Sequence, residues 1–263
     1  TDAWFLTEKE KKMVVERIRG NQQGFGNKHF KKEQLIETLL DYRTWILFIM
    51  GVLCNIPNGG LTNFGSILLK EKLGYSTGKT LLMNMPTGAV EIGGLVAICY
   101  CYKFIQLRLF WSIFTFCIVL MATCFLAFAD NQKLQFAGYT MTSLLAISSI
   151  FILSLIASNC AGHTKKVTTN AIYLIGYCVG NLIGPQTFIP SQAPSYTSAV
   201  VAMVACFSIV IVLMIILWVD YYLDNKRRDA NMDSDLVREF QMLENHEFAD
   251  LTDKQNPLFR YTI

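Results

Sequence analysis

The sequence predicts an all-α membrane protein with six transmembrane helices, and three observations carry that prediction. Of its 263 residues, 52% are hydrophobic and only 16% charged, and the charge gathers at the two ends and in short loops. Five tracts free of Lys and Arg cover Thr44–Leu69, Thr80–Tyr102, Leu109–Ala129, Leu134–Thr164 and Val167–Val219. Each is long enough for the roughly 20 apolar residues that cross a hydrocarbon layer. The last is too long for one helix, and Pro185, Pro190 and Pro194, with the polar Ser191, Gln192 and Ser195, divide it. Six spans result, near 45–68, 80–102, 108–129, 135–157, 167–188 and 197–219. They separate a polar segment (1–44) and a tail (220–263) from a transmembrane domain (45–219).

Six spans put both termini on one side of the membrane, and the basic residues predict which side. Lys28, Lys31, Lys32, Arg43, Lys103, Arg108, Lys165, Lys166, Lys226, Arg227 and Arg228 lie on the terminal side, against Lys70, Lys72, Lys79 and Lys133 opposite. That asymmetry predicts cytoplasmic termini. The net charge of +3 needs no nucleic-acid partner, because the basic residues sit where topology puts them. The eight cysteines fall almost entirely inside spans and have neither metal-ligand spacing nor the look of a disulfide framework. His29, His163 and His246 are scattered, and no nucleophile, base and orienter come together. No cofactor, metal site or enzyme is expected.

In chain order, Thr7 and Glu10 form a capping box ahead of Met13, Val14 and Ile18. Leu35, Ile36, Leu39 and Leu40 then share one helix face after Lys31, Lys32 and Glu33, as in a helix lying on the inner membrane surface. In the first span, Pro57 withdraws a backbone donor beside Gly59 and Gly60, with Asn55, Asn58 and Thr62 on one face. Such a site either turns freed carbonyls toward a cavity or merely bends the helix for packing. The second span puts Asn84, Thr87, Gly88 and Glu91 on one face, with Glu91 at its midpoint. A charged residue there costs about 2.5–3.5 kcal/mol on insertion scales, and such groups usually face a bundle interior or a watery path. Glu91 is thus a proton carrier or counter-ion, a neutral hydrogen-bonding group, or a tolerated accident.

The third and sixth spans are apolar nearly all round and are expected to face lipid. The fourth is rich in Ser and Thr, among them Thr140, Thr142, Ser143 and Ser149, which bond back to their own helix or across to a neighbour. In the fifth, Asn170, Tyr173, Tyr177 and Asn181 fall on one side, and Gly176, Gly180 and Gly184 make a stripe beside them. This helix either lines a cavity or packs tightly in a bundle. Beyond 219 the chain turns basic and then acidic, with too few apolar residues for a core, and is expected to be mobile with a docking aromatic end.

Several separate stretches, in this order, resemble the C-terminal half of the major facilitator superfamily, specifically the fungal allantoate permease family of anion:cation symporters. AWFLTEKEKK (3–12) and LLDYRTW (39–45) resemble that family's central loop, and IPNGGLTNFG (56–65) its seventh span. SNCAGHTKKVTTNAIYLIGYCVGNLIGPQTF (158–188) resembles its tenth loop and eleventh span, and DLTDKQNPLFRY (250–261) its tail. The loop YKFIQLR (102–108) keeps basic residues but lacks the acidic partner of the superfamily's Asp-Arg loop motif.

The resemblance implies two inverted three-helix repeats and proton symport of a small organic anion, of the allantoate, ureidosuccinate, dipeptide or vitamin-acid class. It implies a plasma-membrane protein whose partner is an N-terminal six-helix half, across which the substrate site is shared. Asn55, Asn58, Asn170, Tyr177 and Asn181 are the expected substrate-binding residues, and Glu91 the expected proton-coupling residue. The alternative is a non-transporting remnant, or a half-transporter that modulates a full-length relative.

Overall fold

The computed structural model describes residues 4–19, 29–71, 74–232 and 250–263. Helix α1 (Glu8–Arg19) begins where the capping box is made. The Thr7 amide donates to Glu10 Oε2 at 2.9 Å, and the Glu10 amide donates to Thr7 Oγ1 at 3.4 Å. In α2 (Lys32–Leu40) the buried residues are Gln34 and Thr38, whereas Ile36, Leu39 and Leu40 are exposed. The polar side of α2 therefore lies on the protein, and its apolar side points outward.

Six helices are long and apolar enough to cross a membrane. They are α3 (Tyr42–Glu71), α4 (Thr77–Tyr102) and α5 (Arg108–Phe128), then α6 (Gln132–Met141) joined by a 3₁₀ turn to α7 (Leu145–Asn159) as one span, and α8 (His163–Ile183) and α9 (Thr197–Ala230). Pro57 lies inside α3, which runs unbroken through it. After α8, the turns at Gly184–Thr187 and Pro190–Gln192 break the long apolar tract before α9 begins at Thr197.

The two triplets, α3–α4–α5 and α6/α7–α8–α9, are packed reciprocally. The first helix of each lies against the middle and last helices of the other, and α5 lies against α9. That exchange of equivalent contacts is the pattern of two repeats related by a pseudo-two-fold axis. The core lies between them, around Met50, Phe116, Ile147, Phe207 and Val210.

Two expectations are corrected here. The third and sixth spans do not simply face lipid: α5 buries Leu109, Phe116, Val119 and Leu126, and α9 buries Met203, Phe207, Val210, Met214 and Leu217. In lipid the core face and the outer face of such a helix are both apolar, so hydrophobicity alone does not tell them apart, and on α5 it is the buried Ser112, Thr115 and Thr123 that mark the core side. The helix left at the periphery is α4, in which only Thr80 and Ile98 are buried. The second correction concerns the tail, whose aromatic end docks as expected but whose described parts are helical or packed rather than loose. Its first part continues α9 to Ala230, residues 233–249 lie outside the described residues, and residues 250–263 are seated on the bundle, with Phe259 and Tyr261 buried.

Candidate functional site

The most extensive helix contact is that of α3 with α8, and glycines make the approach possible. A Cβ on Gly176 would stand 2.6 Å from the Phe48 carbonyl oxygen, and one on Gly180 would stand 2.8 Å from Asn55 Cβ while crowding the Val52 carbonyl. Gly184 meets the Ile56 carbonyl in the same way. The stripe at four-residue spacing thus runs along α3 carbonyls that are also four apart. Gly59 answers from the other side, where a Cβ would lie 2.8 Å from Asn181 Cα. Backbones this close gain packing in lipid, where no hydrophobic drive assembles helices.

Beside this seam three asparagines meet. Asn58 Nδ2 donates to Asn181 Oδ1 at 3.3 Å and to Asn55 Oδ1 at 3.4 Å, and Asn181 Nδ2 reaches Asn55 Oδ1 at 3.4 Å. Asn55 and Asn181 also donate to the carbonyls of Gly51 and Tyr177 four residues earlier. Three of the five expected binding residues are therefore brought together. The Tyr177 side chain is exposed, and only its carbonyl joins the cluster. Asn170 is bonded to the Lys166 carbonyl, three turns away along α8, and does not join it.

Asn58 also lines an open cleft of about 250 Å³ between α3, α4 and the α6–α7 junction. Its walls include Thr62, Thr87, Glu91, Tyr139, Thr142 and Ser143. The polar faces of the first two spans, Asn58 and Thr62 on one and Thr87 and Glu91 on the other, meet across this space. Glu91 has no hydrogen-bond or ion-pair partner among the described residues, and no Lys, Arg or His lines the cavity.

Sequence reasoning missed the third wall. Tyr139 donates to Asn84 Oδ1 at 2.8 Å, Asn84 donates to Ser66 at 3.2 Å, and Ser143 donates to the Thr87 carbonyl at 3.1 Å. These bonds tie α6 and the following turn to α4 and α3. Most Ser and Thr of this span do bond back to their own helix, as Thr140, Thr142 and Ser149 show. Tyr139, opposite an asparagine on another span, carried no sequence signal beyond being a lone tyrosine in a Ser/Thr-rich helix.

At the end of the bundle that bears both termini, Arg108 closes the loop between α4 and α5. Its guanidinium donates to Tyr102, Ser158 and the Ser154 carbonyl. In place of the missing acidic partner it uses neutral oxygens.

Relatives match almost the whole length of the chain. Over 261 residues it is 48% identical to an uncharacterized transporter of Schizosaccharomyces pombe, covering 99% of this chain and 51% of that protein. It is 48% identical over 271 residues to the allantoate permease of Saccharomyces cerevisiae, covering 99% of this chain and 49% of the permease. The chain belongs to the allantoate permease family of major facilitator transporters. A thiamine pathway transporter of Saccharomyces cerevisiae is a more distant member, 30% identical over 269 residues, with 99% and 49% covered. The chain spans about half the length of the curated relatives it matches. No family model matches it, and no solved structure does. The relatives are transporters and permeases, not enzymes.

Proposed function

We propose that this chain is the C-terminal half of a proton-coupled transporter of small organic anions, active when an N-terminal six-helix half completes the cavity. The supporting observation is Glu91, a mid-span carboxyl group in a cavity whose polar lining is hydroxyls and an amide, with no cation and no bonded partner among the described residues. Two unit charges of like sign 4 Å apart repel by about 4 kcal/mol at an effective dielectric near 20. That is close to three decades of affinity.

An anion entering beside ionised Glu91 would bear that penalty. With a proton on Glu91 the repulsion disappears and the carboxyl gains an O–H that can donate to the substrate. Proton and anion then bind best together, which is the requirement for symport. The asparagine cluster, joined to the cavity through Asn58, would hold the substrate's uncharged hydrogen-bonding groups. The countercharge for its carboxylate would come from the other half.

The substrate class, by likeness to the allantoate permease, is small carboxylates bearing ureido or amide groups. Plasma-membrane residence with cytoplasmic termini belongs to the same reading, supported by the placement of the basic residues. The test is uptake of allantoate by the chain joined to an N-terminal half from a relative, with and without an inward proton gradient. Accumulation that collapses with the gradient supports symport, and gradient-independent equilibration contradicts it. The alternative reading is a non-transporting half that modulates a full-length relative. An in-frame six-span segment upstream of Thr1 in the gene would rule that reading out.

A further inference from the structure

The last described segment, Asp250–Ile263, is bound by the bundle much as a peptide is bound by a receptor. Helix α2 with its cap residue, and α8, take hold of its acidic part. Lys165 of α8, only 2% exposed, lies 2.8 Å from Asp253, 2.9 Å from Glu37 and 3.2 Å from Asp41. The Thr252 hydroxyl donates to Glu37 at 3.0 Å, and the Asp250 carboxylate accepts from the His163 amide and pairs with Lys31, which donates to the Asp250 carbonyl at 2.9 Å. Its backbone is read as well. Arg228 donates to the carbonyls of Asp253, Asn256 and Phe259 at 2.8–3.0 Å. Asn225 exchanges two hydrogen bonds with the Tyr261 backbone, Asn159 does so with Thr262, and the Arg108 amide donates to the Ile263 carbonyl.

Aromatic anchors finish the seat. Tyr261 stacks on Tyr221 with ring centroids 4.9 Å apart and lies under the Arg43 guanidinium at 4.6 Å, and Phe259 is 3% exposed. The contacting residues come from α2, α3, α5, α7, α8 and α9, so one segment ties together helix ends that are distant in sequence. Most of its bonds are polar and lie at the terminus-bearing end rather than at mid-bundle. Such bonds exchange for bonds to water at small net cost, so they can be broken and remade.

We infer that these helix ends form a peptide-docking groove whose occupant is the chain's own Asp250–Ile263, a releasable strap that holds the ends as one body. Lys165 is the ionic centre of the groove, and Arg228 reads the strap's backbone. Cys160 is a native reporter: it is buried and directly follows Asn159, which holds Thr262.

The experiment uses the detergent-solubilised full-length chain with the other seven cysteines replaced by serine or alanine, and follows maleimide labelling of Cys160. The intact chain should resist labelling, truncation after residue 249 should speed it at least tenfold, and a synthetic 250–263 peptide should restore protection. The same peptide with Asp253→Ala should protect at least tenfold less well. If truncation prevents folding, as judged by a monodisperse size-exclusion peak, the full-length D253A and R228A variants replace it and should each speed labelling severalfold. Unchanged protection of Cys160 in whichever of these variants folds, or equal protection by both peptides, would overturn the inference.

Discussion

Asn58 Nδ2 lies 3.3 Å from Asn181 Oδ1 across the α3–α8 seam, and the same Asn58 side chain forms part of the wall that faces Glu91. One residue thus belongs to both the packed seam and the open cavity. Asn181→Leu removes the partner of Asn58 and Asn55 at the half-buried end of the cluster, where the leucine can turn outward. Expression and melting temperature of the assembled transporter should change little, while the KM for uptake rises several-fold. Normal uptake at limiting substrate would remove the asparagine cluster from the binding site.

Gly180 separates packing from chemistry. A side chain there meets Asn55 Cβ at 2.8 Å and the Asn55 carbonyl carbon at 3.1 Å, neither of which can yield without moving α3. Gly180→Ala should cost about 1–3 kcal/mol by overpacking, read as a clear drop in thermal midpoint in detergent. Gly88→Ala, with nothing within 4 Å, should leave the midpoint unchanged or slightly raised. Equal effects at the two glycines would contradict the close α3–α8 contact.

The seat of the strap should be indifferent to pH through the neutral range and weaken only in acid. Burial alone would raise the Asp41 and Asp250 carboxyls, but Lys165 and Lys254 at Asp41, and Lys31 with the His163 amide at Asp250, outweigh it and hold both below the usual carboxylate range. A carboxyl depressed in the folded state contributes fully above its unfolded value, about 3.9, and loses that contribution as pH falls through the folded value. The gap in thermal midpoint between the full chain and one ending at 249 should therefore be equal near pH 7 and near pH 5.5, and shrink below about pH 4. A gap that closes between pH 7 and 5.5 would show that another group controls the seat.

Topology is open to a direct check on exposed loop residues. A single cysteine at Gln106, between α4 and α5, should react with an impermeant reagent only from the cytoplasmic face, and one at Ser191 only from outside. The reverse pattern would invert the proposed orientation.

Much of this architecture was legible in the sequence because lipid imposes a length rule on every span, and the boundaries followed from Arg43, Lys70, Lys79, Lys103 and Arg108. The α3–α8 seam was legible too, since Gly176, Gly180 and Gly184 repeat at the spacing one helix face requires. The buried sides of α5 and α9 were not, because Phe116 and Phe207 look no different in sequence from their lipid-facing neighbours. Of the strap only the docking aromatic end was legible, because its ionic hold depends on Lys165 meeting Glu37, Asp41 and Asp253, partners far apart in the chain that share no periodicity. The cavity was half legible. Asn58, Thr62, Thr87 and Glu91 were placed on two polar faces, but Tyr139 and Ser143, which complete it, sat in a span whose hydroxyls mostly serve their own helix.

Glu91→Gln in the assembled transporter is the most direct test of proton coupling. Glutamine keeps the shape and hydrogen-bonding capacity of the protonated acid but cannot release a proton, so exchange of labelled allantoate for unlabelled across the membrane should persist. Accumulation against a gradient should fail, and uptake should lose its dependence on external pH. Full accumulation with the parent's pH profile in the Gln variant would show that Glu91 does not carry the coupling proton.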